Sequence, residues 1–327
     1  MTSIVSVIVV TRNEEKNISQ CLDSLVAQDY PKDAYELIVV DGASTDRTRD
    51  ICQRYPVRLI ITKQSGISHQ RNKGIELARG EFVAFTDADC NVDKSWLRKL
   101  LGQIREADGS VVAVGGPNMV FGSDPPLSKV ISYVQETLLG SGGSPQTHKI
   151  TRSSFVSSIS NCNILYRKET IAKERYDETL SVGDDCELNF RLRQKGYKFL
   201  YSPHIFVWHH WPDSFRNFTR KMFSYGEAMG RITKKHKKII RWYAFAVTVA
   251  ILAAIFSYPI IRLFHPAAYI YAVAVSLYII ALMISTAQVY KRYRNIRSLL
   301  TLILLPWQHF WYGLGFMKGL LAVRRAK

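Results

Sequence analysis

The chain has 327 residues, 47% of them hydrophobic and 22% charged, with a formal net charge of +17. That length leaves room for one large domain or two smaller ones with a real core, but the charge is not laid out as a nucleic-acid footprint. Residues 1–227 hold 29 Lys and Arg against all 27 Asp and Glu, whereas residues 228–327 hold 15 Lys and Arg and no acid, so the excess belongs to the tail and no nucleic-acid partner is expected. The five cysteines, Cys21, Cys52, Cys90, Cys162 and Cys186, are scattered without a CxxC spacing, which excludes a disulfide framework or zinc ribbon and suits a reduced cytosolic domain.

From the N-terminus, residues 5–10 form a run apolar but for Ser6 that predicts a buried strand. No basic leader precedes it and polar TRNEE follows, so no cleavable signal is expected. Ile18, Cys21, Leu22, Leu25 and Val26 recur at helical spacing, residues 37–40 are the next apolar run, and Thr45 is placed to cap a helix carrying Ile51, Cys52 and Tyr55. A short strand at 59–61, a helix over about 68–79 and a strand at 82–85 complete the repeat. Strands without polar alternation, each followed by a helix, predict an α/β fold whose mostly parallel sheet is covered on both faces. Ligands in such sheets bind beyond the carboxyl ends of the strands. TRNEE, DGASTD and TDAD all lie there.

The fourth strand ends in FVAFTDAD. On extended chain, residues two apart point the same way, so Asp87 and Asp89 are expected to converge just past the strand. Paired hard oxygens of this kind suit Mg²⁺ or Mn²⁺, whose shell substrate phosphates complete. A solvated turn is the alternative for an isolated acidic pair.

Residues 116–230 read less regularly: GSGGS at 140–144 as a lid or a disordered connector, a strand over 159–166, a helix over about 185–195 and a strand at 198–201. Beyond them, apolar segments 242–261, 267–290 and 299–321 appear; the first two carry no charge and are long enough to span a membrane. Pro306, Gln308, His309, Gly313, Gly315, Lys318 and Gly319 interrupt the third, leaving a kinked span, a re-entrant hairpin and an interfacial helix open, with the basic end at Arg324, Arg325 and Lys327 favouring a non-spanning arrangement. Lys234, Lys235, Lys237, Lys238 and Arg241 precede the first segment, and Lys291, Arg292, Arg294 and Arg297 follow the second. The positive-inside rule then puts the large N-terminal region and the 291–297 loop in the cytoplasm. Arg216, Arg220 and Lys221 interleave with Phe215, Phe218, Met222, Phe223 and Tyr225, a pattern open to two readings: a helix on the membrane surface or a solvated basic helix.

Four segments in order, SVIVVTRNEEKNISQCLDSLVAQDYP, ELIVVDGASTDRT, GISHQRNKGIELARGEFVAFTDAD and GDDCELNFRLRQKGYKF, make residues 3–230 resemble the inverting family 2 glycosyltransferases of GT-A fold. The resemblance implies a nucleotide-sugar-binding half at 1–115, an acceptor-binding and catalytic half at 116–230 and a membrane region at 231–327. It implies that Thr11 and Glu14 contact the nucleoside, that Asp41 accepts from a pyrimidine N–H, and that Arg71 approaches the diphosphate while Asn72 holds the loop. Asp89 is then the direct metal ligand, and Asp87 is shared between metal and ribose. Asp185 falls at the position of the base, with Asp184 and Glu187 as alternatives. His209, or else His210, completes the metal shell or touches the diphosphate.

Together these readings describe a multi-pass plasma-membrane glycosyltransferase, a metal-dependent hexosyltransferase with a cytoplasmic catalytic domain. A UDP- or GDP-type donor, a polyprenyl phosphate, glycolipid or glycan acceptor, and membrane lipids are its expected partners. A processive polysaccharide synthase normally shows a QxxRW motif after the base, and none occurs here. A nucleotidyltransferase wants a basic Gly-rich loop after the first strand, where TRNEE is acidic. A non-catalytic membrane scaffold has no need of the carboxylates that this chain keeps.

Overall fold

The computed structural model describes residues 5–64, 66–145, 150–237 and 265–322. The apolar segment 242–261 and the terminal Arg324, Arg325 and Lys327 lie outside the described residues. Contacts divide the chain into two units, residues 1–121 with 145–210, and residues 122–144 with 211–327.

The first unit holds every described strand: β1 (Val5–Thr11), β2 (Tyr35–Asp41), β3 (Arg58–Ile61), β4 (Phe82–Asp87), β5 (Cys90–Val92), β6 (Val111–Gly115), β7 (Asn118–Met119), β8 (Ser154–Val156), β9 (Ile164–Arg167), β10 (Lys198–Tyr201) and β11 (Val207–His209). Eight form one sheet in the order β3-β2-β1-β4-β9-β6-β10-β8, and β5-β11-β7 form a second, small sheet. β1 pairs in parallel with β2 and β4, β2 with β3, and β10 with β6, while β9 runs antiparallel between β4 and β6.

The absence of alternation in β1 has a direct cause. Val5, Val7 and Val9 face one layer, against the helices Ile18–Val26 and Trp96–Glu106, and Ile8 and Val10 face the other, against Ile67–Leu77 and Asp184–Gln194. Each such side chain, buried rather than exposed, contributes about 1.5–3 kcal/mol, so a polar residue at any of these positions is costly. Gly74 lets the helix Ile67–Leu77 lie close on β1, since a Cβ there would meet Ile8 Cγ2 at 2.6 Å.

Two local expectations are corrected. Thr45 is not the cap of the second helix, which runs Thr48–Cys52. Its hydroxyl and N–H both donate to Asn13 Oδ1, and Asp46 Oδ1 instead accepts from Thr48 N at 3.0 Å. Nor are residues 159–166 one strand: Asn161–Asn163 turns as a short 3₁₀ helix before β9. The turn sends Asn163 inward, where its Oδ1 accepts from Trp96 Nε1 and its Nδ2 donates to the carbonyls of Pro117 and Ile205. A buried amide needs those partners.

The second unit is helical: Pro126–Gln135, Leu138–Ser141, Phe215–Lys235, His265–Tyr293 and Thr301–Leu321. A boundary at 230 would fall inside the helix Phe215–Lys235, which packs instead along Thr301–Leu321. Gly226, Gly230, Gly315 and Gly319 line that contact, and a Cβ at any of them would come within 2.3 Å of the opposite backbone. Glu227 Oε2 accepts from Lys318 Nζ at 2.7 Å across the same seam. The third apolar segment is thus one helix with Pro306 inside it, laid against a helix rich in charge. GSGGS is not a free lid, because the Gly140 carbonyl accepts from Gln308 Nε2 at 2.5 Å within this unit. Among the described residues one helix, Ala268–Tyr293, is long and apolar enough to cross a membrane.

Candidate active site

The loops that leave β1 and β2 are stitched together. Ser44 Oγ accepts from Asn13 N at 2.9 Å, Thr48 Oγ1 from Glu14 N at 2.8 Å and Asp46 Oδ2 from Glu15 N at 3.1 Å, while Glu15 Oε2 accepts in return from Arg47 N at 3.1 Å. At the apex of each loop a non-glycine residue has left-handed backbone, Asn13 with φ 56° and Ala43 with φ 60°. Asn tolerates that region and Ala does so only under constraint, so the reciprocal bonds hold a strained pair of turns at the strand ends.

Asp41 closes β2, fully buried. Its Oδ2 accepts from Ser44 N at 3.0 Å and Arg49 Nε at 2.8 Å, but its Oδ1 and the Thr11 hydroxyl have no hydrogen-bond partner among the described residues. An orphaned buried acceptor costs about 1–3 kcal/mol. A ligand N–H reaching Oδ1 would recover it. Burial raises the Glu14 carboxyl, with a hydrogen bond from Asn17 opposing and the charges of Asp89 and Asp87 adding to the rise.

Arg71, only 4% exposed, ties two distant segments together. Its Nη1 donates to Asp184 Oδ2 at 2.5 Å and its Nη2 to Asp87 Oδ1 at 3.2 Å. Burial works against its charge, yet those two carboxylates hold the guanidinium well above its ordinary pKa. The guanidinium therefore bridges the end of β4 and the start of the helix Asp184–Gln194. Asn72 clamps the neighbouring turn, accepting from Tyr176 N at 2.8 Å and donating to Tyr176 O and Glu178 Oε1 at 2.9 Å.

The acidic pair does not share one environment. Asp87 is the last residue of β4 and turns to Arg71, whereas Asp89 sits in the tight turn between β4 and β5, its Oδ2 lying 3.6 Å from His209 Nε2. Strand periodicity does not extend through a turn, which is why the convergence read from an i, i+2 spacing splits. β11 lies antiparallel to β5 with His209 opposite Cys90, and His210 N donates to the Asp89 carbonyl at 3.4 Å. His210 itself stacks on Phe121 at 4.2 Å. Donors about 2.1 Å from an octahedral cation stand roughly 3.0 Å apart when adjacent and roughly 4.2 Å apart when opposite. The Asp89 and His209 pair, 3.6 Å apart, reaches adjacent positions on such an ion with a shift of about half an ångström.

Asp184, Asp185 and Glu187 occupy the first turn of their helix, where the N-terminal dipole favours carboxylates. Gly183, with φ 73°, makes the tight entry. Burial, then the charge of Asp184, push the Asp185 carboxyl up to about 6 despite the opposing Arg71. Glu187 is buried and accepts from Arg191 Nε at 2.9 Å. Sequence reasoning missed Arg49 and Cys90. The i+8 spacing of Arg49 from Asp41 gave no signal, and Cys90 stood outside any ligand motif.

Residues 6–173 match the family described as Glycosyl transferase family 2. A Methanococcus voltae protein named dolichyl N-acetyl-alpha-D-glucosaminyl phosphate 3-beta-D-2,3-diacetamido-2,3-dideoxy-beta-D-glucuronosyltransferase is 25% identical over 333 residues, covering 98% of each chain. Glycosyltransferase AglE of Haloferax volcanii is 37% identical over 123 residues, 36% of this chain and 40% of that protein. The solved mannosyltransferase PcManGT of Pyrobaculum calidifontis, in complex with GDP-Man and Mn²⁺, aligns over 90% of this chain and 86% of its own with a TM-score of 0.63 and 20% identity, a likeness of fold.

Proposed function

The chain belongs to glycosyl transferase family 2 and is a glycosyltransferase, and we propose that it transfers a hexosyl-type sugar, with inversion, from a UDP- or GDP-type donor to a lipid-linked acceptor. One observation carries this reading: Arg71 holds Asp87 of the acidic motif and Asp184 of the helix start on a single guanidinium, so the two segments needed for leaving-group and acceptor chemistry meet.

Thr11, Glu14 and Asp41 form the nucleoside end, with Asp41 Oδ1 open to a ring N–H. Asp89 and His209 would hold Mg²⁺ or Mn²⁺, which supplies positive charge against the diphosphate as the anomeric bond breaks. Asp87, fixed by Arg71, orients the ribose side of the donor. Asp185 removes the acceptor hydroxyl proton from the face opposite the leaving group, and Asp184 tunes it. In this assignment residues 1–115 serve the donor and 116–230 the base and acceptor.

The acceptor and location follow from the other unit and the relatives. The Methanococcus voltae relative is named for a dolichyl phosphate-linked substrate along its whole length. The apolar helix Ala268–Tyr293 ends in Lys291 and Arg292, with Arg294 and Arg297 beyond it, which favours a cytoplasmic site on a membrane-attached enzyme. A polyprenyl phosphate or glycolipid is the acceptor such a site reaches. Loss of donor turnover in EDTA, in Asp89→Asn and in Asp185→Asn tests the assignment; wild-type turnover in both variants sinks it.

A further inference from the structure

The strand pairing that brings His209 beside Asp89 also brings a thiol. Cys90 opens β5 directly opposite His209 on β11, and residues opposite each other across an antiparallel pair share a face. Cys90 Sγ lies 3.9 Å from Asp89 Oδ1, His209 Nε2 lies 3.6 Å from Asp89 Oδ2, and one donor atom from each residue falls within 4.8 Å of the others. We propose that Asp89, Cys90 and His209 form a three-donor site for a soft or borderline divalent cation, Zn²⁺ or Co²⁺, overlapping the position assigned to Mg²⁺ or Mn²⁺. The inference rests on that assignment of Asp89 and His209.

The chemistry distinguishes the two classes of ion. Hard Mg²⁺ and Mn²⁺ take oxygen and imidazole and leave a sulfur donor aside, whereas Zn²⁺ and Co²⁺ accept thiolate, imidazole and carboxylate together. Tetrahedral zinc, with donors at about 2.0–2.3 Å, sets its donor pairs roughly 3.3–3.8 Å apart. The Asp89 and His209 pair already meets that spacing, and the thiol, within 4.8 Å of the other donors, needs a shift of at most about an ångström. Coordination forms an S–metal bond as the thiol proton passes to the buffer, with no change of oxidation state. Three protein donors leave the fourth position open, as in zinc sites that keep an exchangeable ligand. Zn²⁺ bound this way displaces the catalytic ion and holds Asp89 and His209 in a tetrahedral arrangement, so it acts as a competitive inhibitor of metal activation.

The full chain titrated with Co²⁺ provides the test. Wild type is expected to develop a thiolate-to-cobalt charge-transfer band in the near ultraviolet, and Cys90→Ser to lose that band while keeping Co²⁺ bound through Asp89 and His209. Zn²⁺ should bind Cys90→Ser about tenfold or more weakly than wild type, with Mn²⁺ binding by electron paramagnetic resonance unchanged. Cys162→Ser, a control beside the site, keeps the band. Bound Co²⁺ without a charge-transfer band in wild type, or a band that survives in Cys90→Ser, overturns the proposal. Mn²⁺ binding that persists in Asp89→Asn overturns instead the metal assignment on which it rests.

Discussion

Asp185 is placed between opposing pulls. Burial and Asp184 raise its carboxyl, Arg71 lowers it, and the balance lies at about 6. A carboxylate whose pKa is raised is protonated below that value, so a base of this kind works above about 6 and is lost as pH falls through it. We predict that kcat/KM is flat at neutral pH and falls about tenfold per pH unit below that point. Asp184→Asn removes a charge that raises Asp185, and the acid limb should move to lower pH; a limb that stays put means another group titrates. At the other end of the site, Asp41→Asn replaces an acceptor oxygen with a possible N–H and strands Arg49. Donor nucleotide should bind it more weakly by about 1–3 kcal/mol, roughly 5- to 150-fold, in calorimetric titration, and unchanged affinity would remove Asp41 from the nucleoside site. The legibility of these residues in the sequence was uneven. Asp41, Asp87 and Asp185 stand at strand or helix ends, which periodicity locates, and Asp89 lies in the turn just beyond one. The pairing of Arg71 with Asp87 and Asp184 joins positions 16 and 113 residues apart, and no local pattern encodes it.

Strands were legible where burial is two-sided. β1, β2 and β4 are mostly apolar, without regular polar alternation, because helices cover both faces, and β10 coincides with the run read at 198–201. β5 and β7 were not legible, being two or three residues long and paired across long intervals, whereas the apolar strand read ahead of His209 and His210 is β11, which sets His209 beside Asp89 and leaves His210 stacked on Phe121. The contact between the helices Phe215–Lys235 and Thr301–Leu321 was likewise hidden, because its signal is the spacing of four glycines on separate segments. Gly226→Leu places a Cβ 2.0 Å from the Tyr312 carbonyl, and forcing these backbones apart should cost about 1–3 kcal/mol, seen as a lower thermal midpoint. Gly102→Ala, inside the helix Trp96–Glu106 with open space around it, should instead stabilise by about 0.5–1 kcal/mol. Equal effects from the two substitutions would refute the close packing.

At the scale of the whole molecule, the proposed membrane attachment would draw on the acid-free last hundred residues and on the exposed apolar side of the helix His265–Tyr293. Anionic lipid attracts the basic groups within a Debye length of about 8 Å at physiological salt, and apolar burial does not depend on salt. The full chain should therefore partition into anionic vesicles more than neutral ones, lose that difference at high salt, and still remain bound. Complete release at high salt would leave only a peripheral, electrostatic contact. The proposed chemistry has a sugar leave its nucleotide where Asp89 and His209 would serve the diphosphate and Asp185 the acceptor. Steady-state turnover of UDP- and GDP-sugars in the presence of a polyprenyl phosphate, for wild type and Asp185→Asn, tests it most directly. Transfer that EDTA abolishes and Mn²⁺ or Mg²⁺ restores is expected, with kcat/KM about 10²- to 10⁴-fold lower in the variant while donor affinity is kept; transfer that survives both EDTA and Asp185→Asn would overturn the assignment.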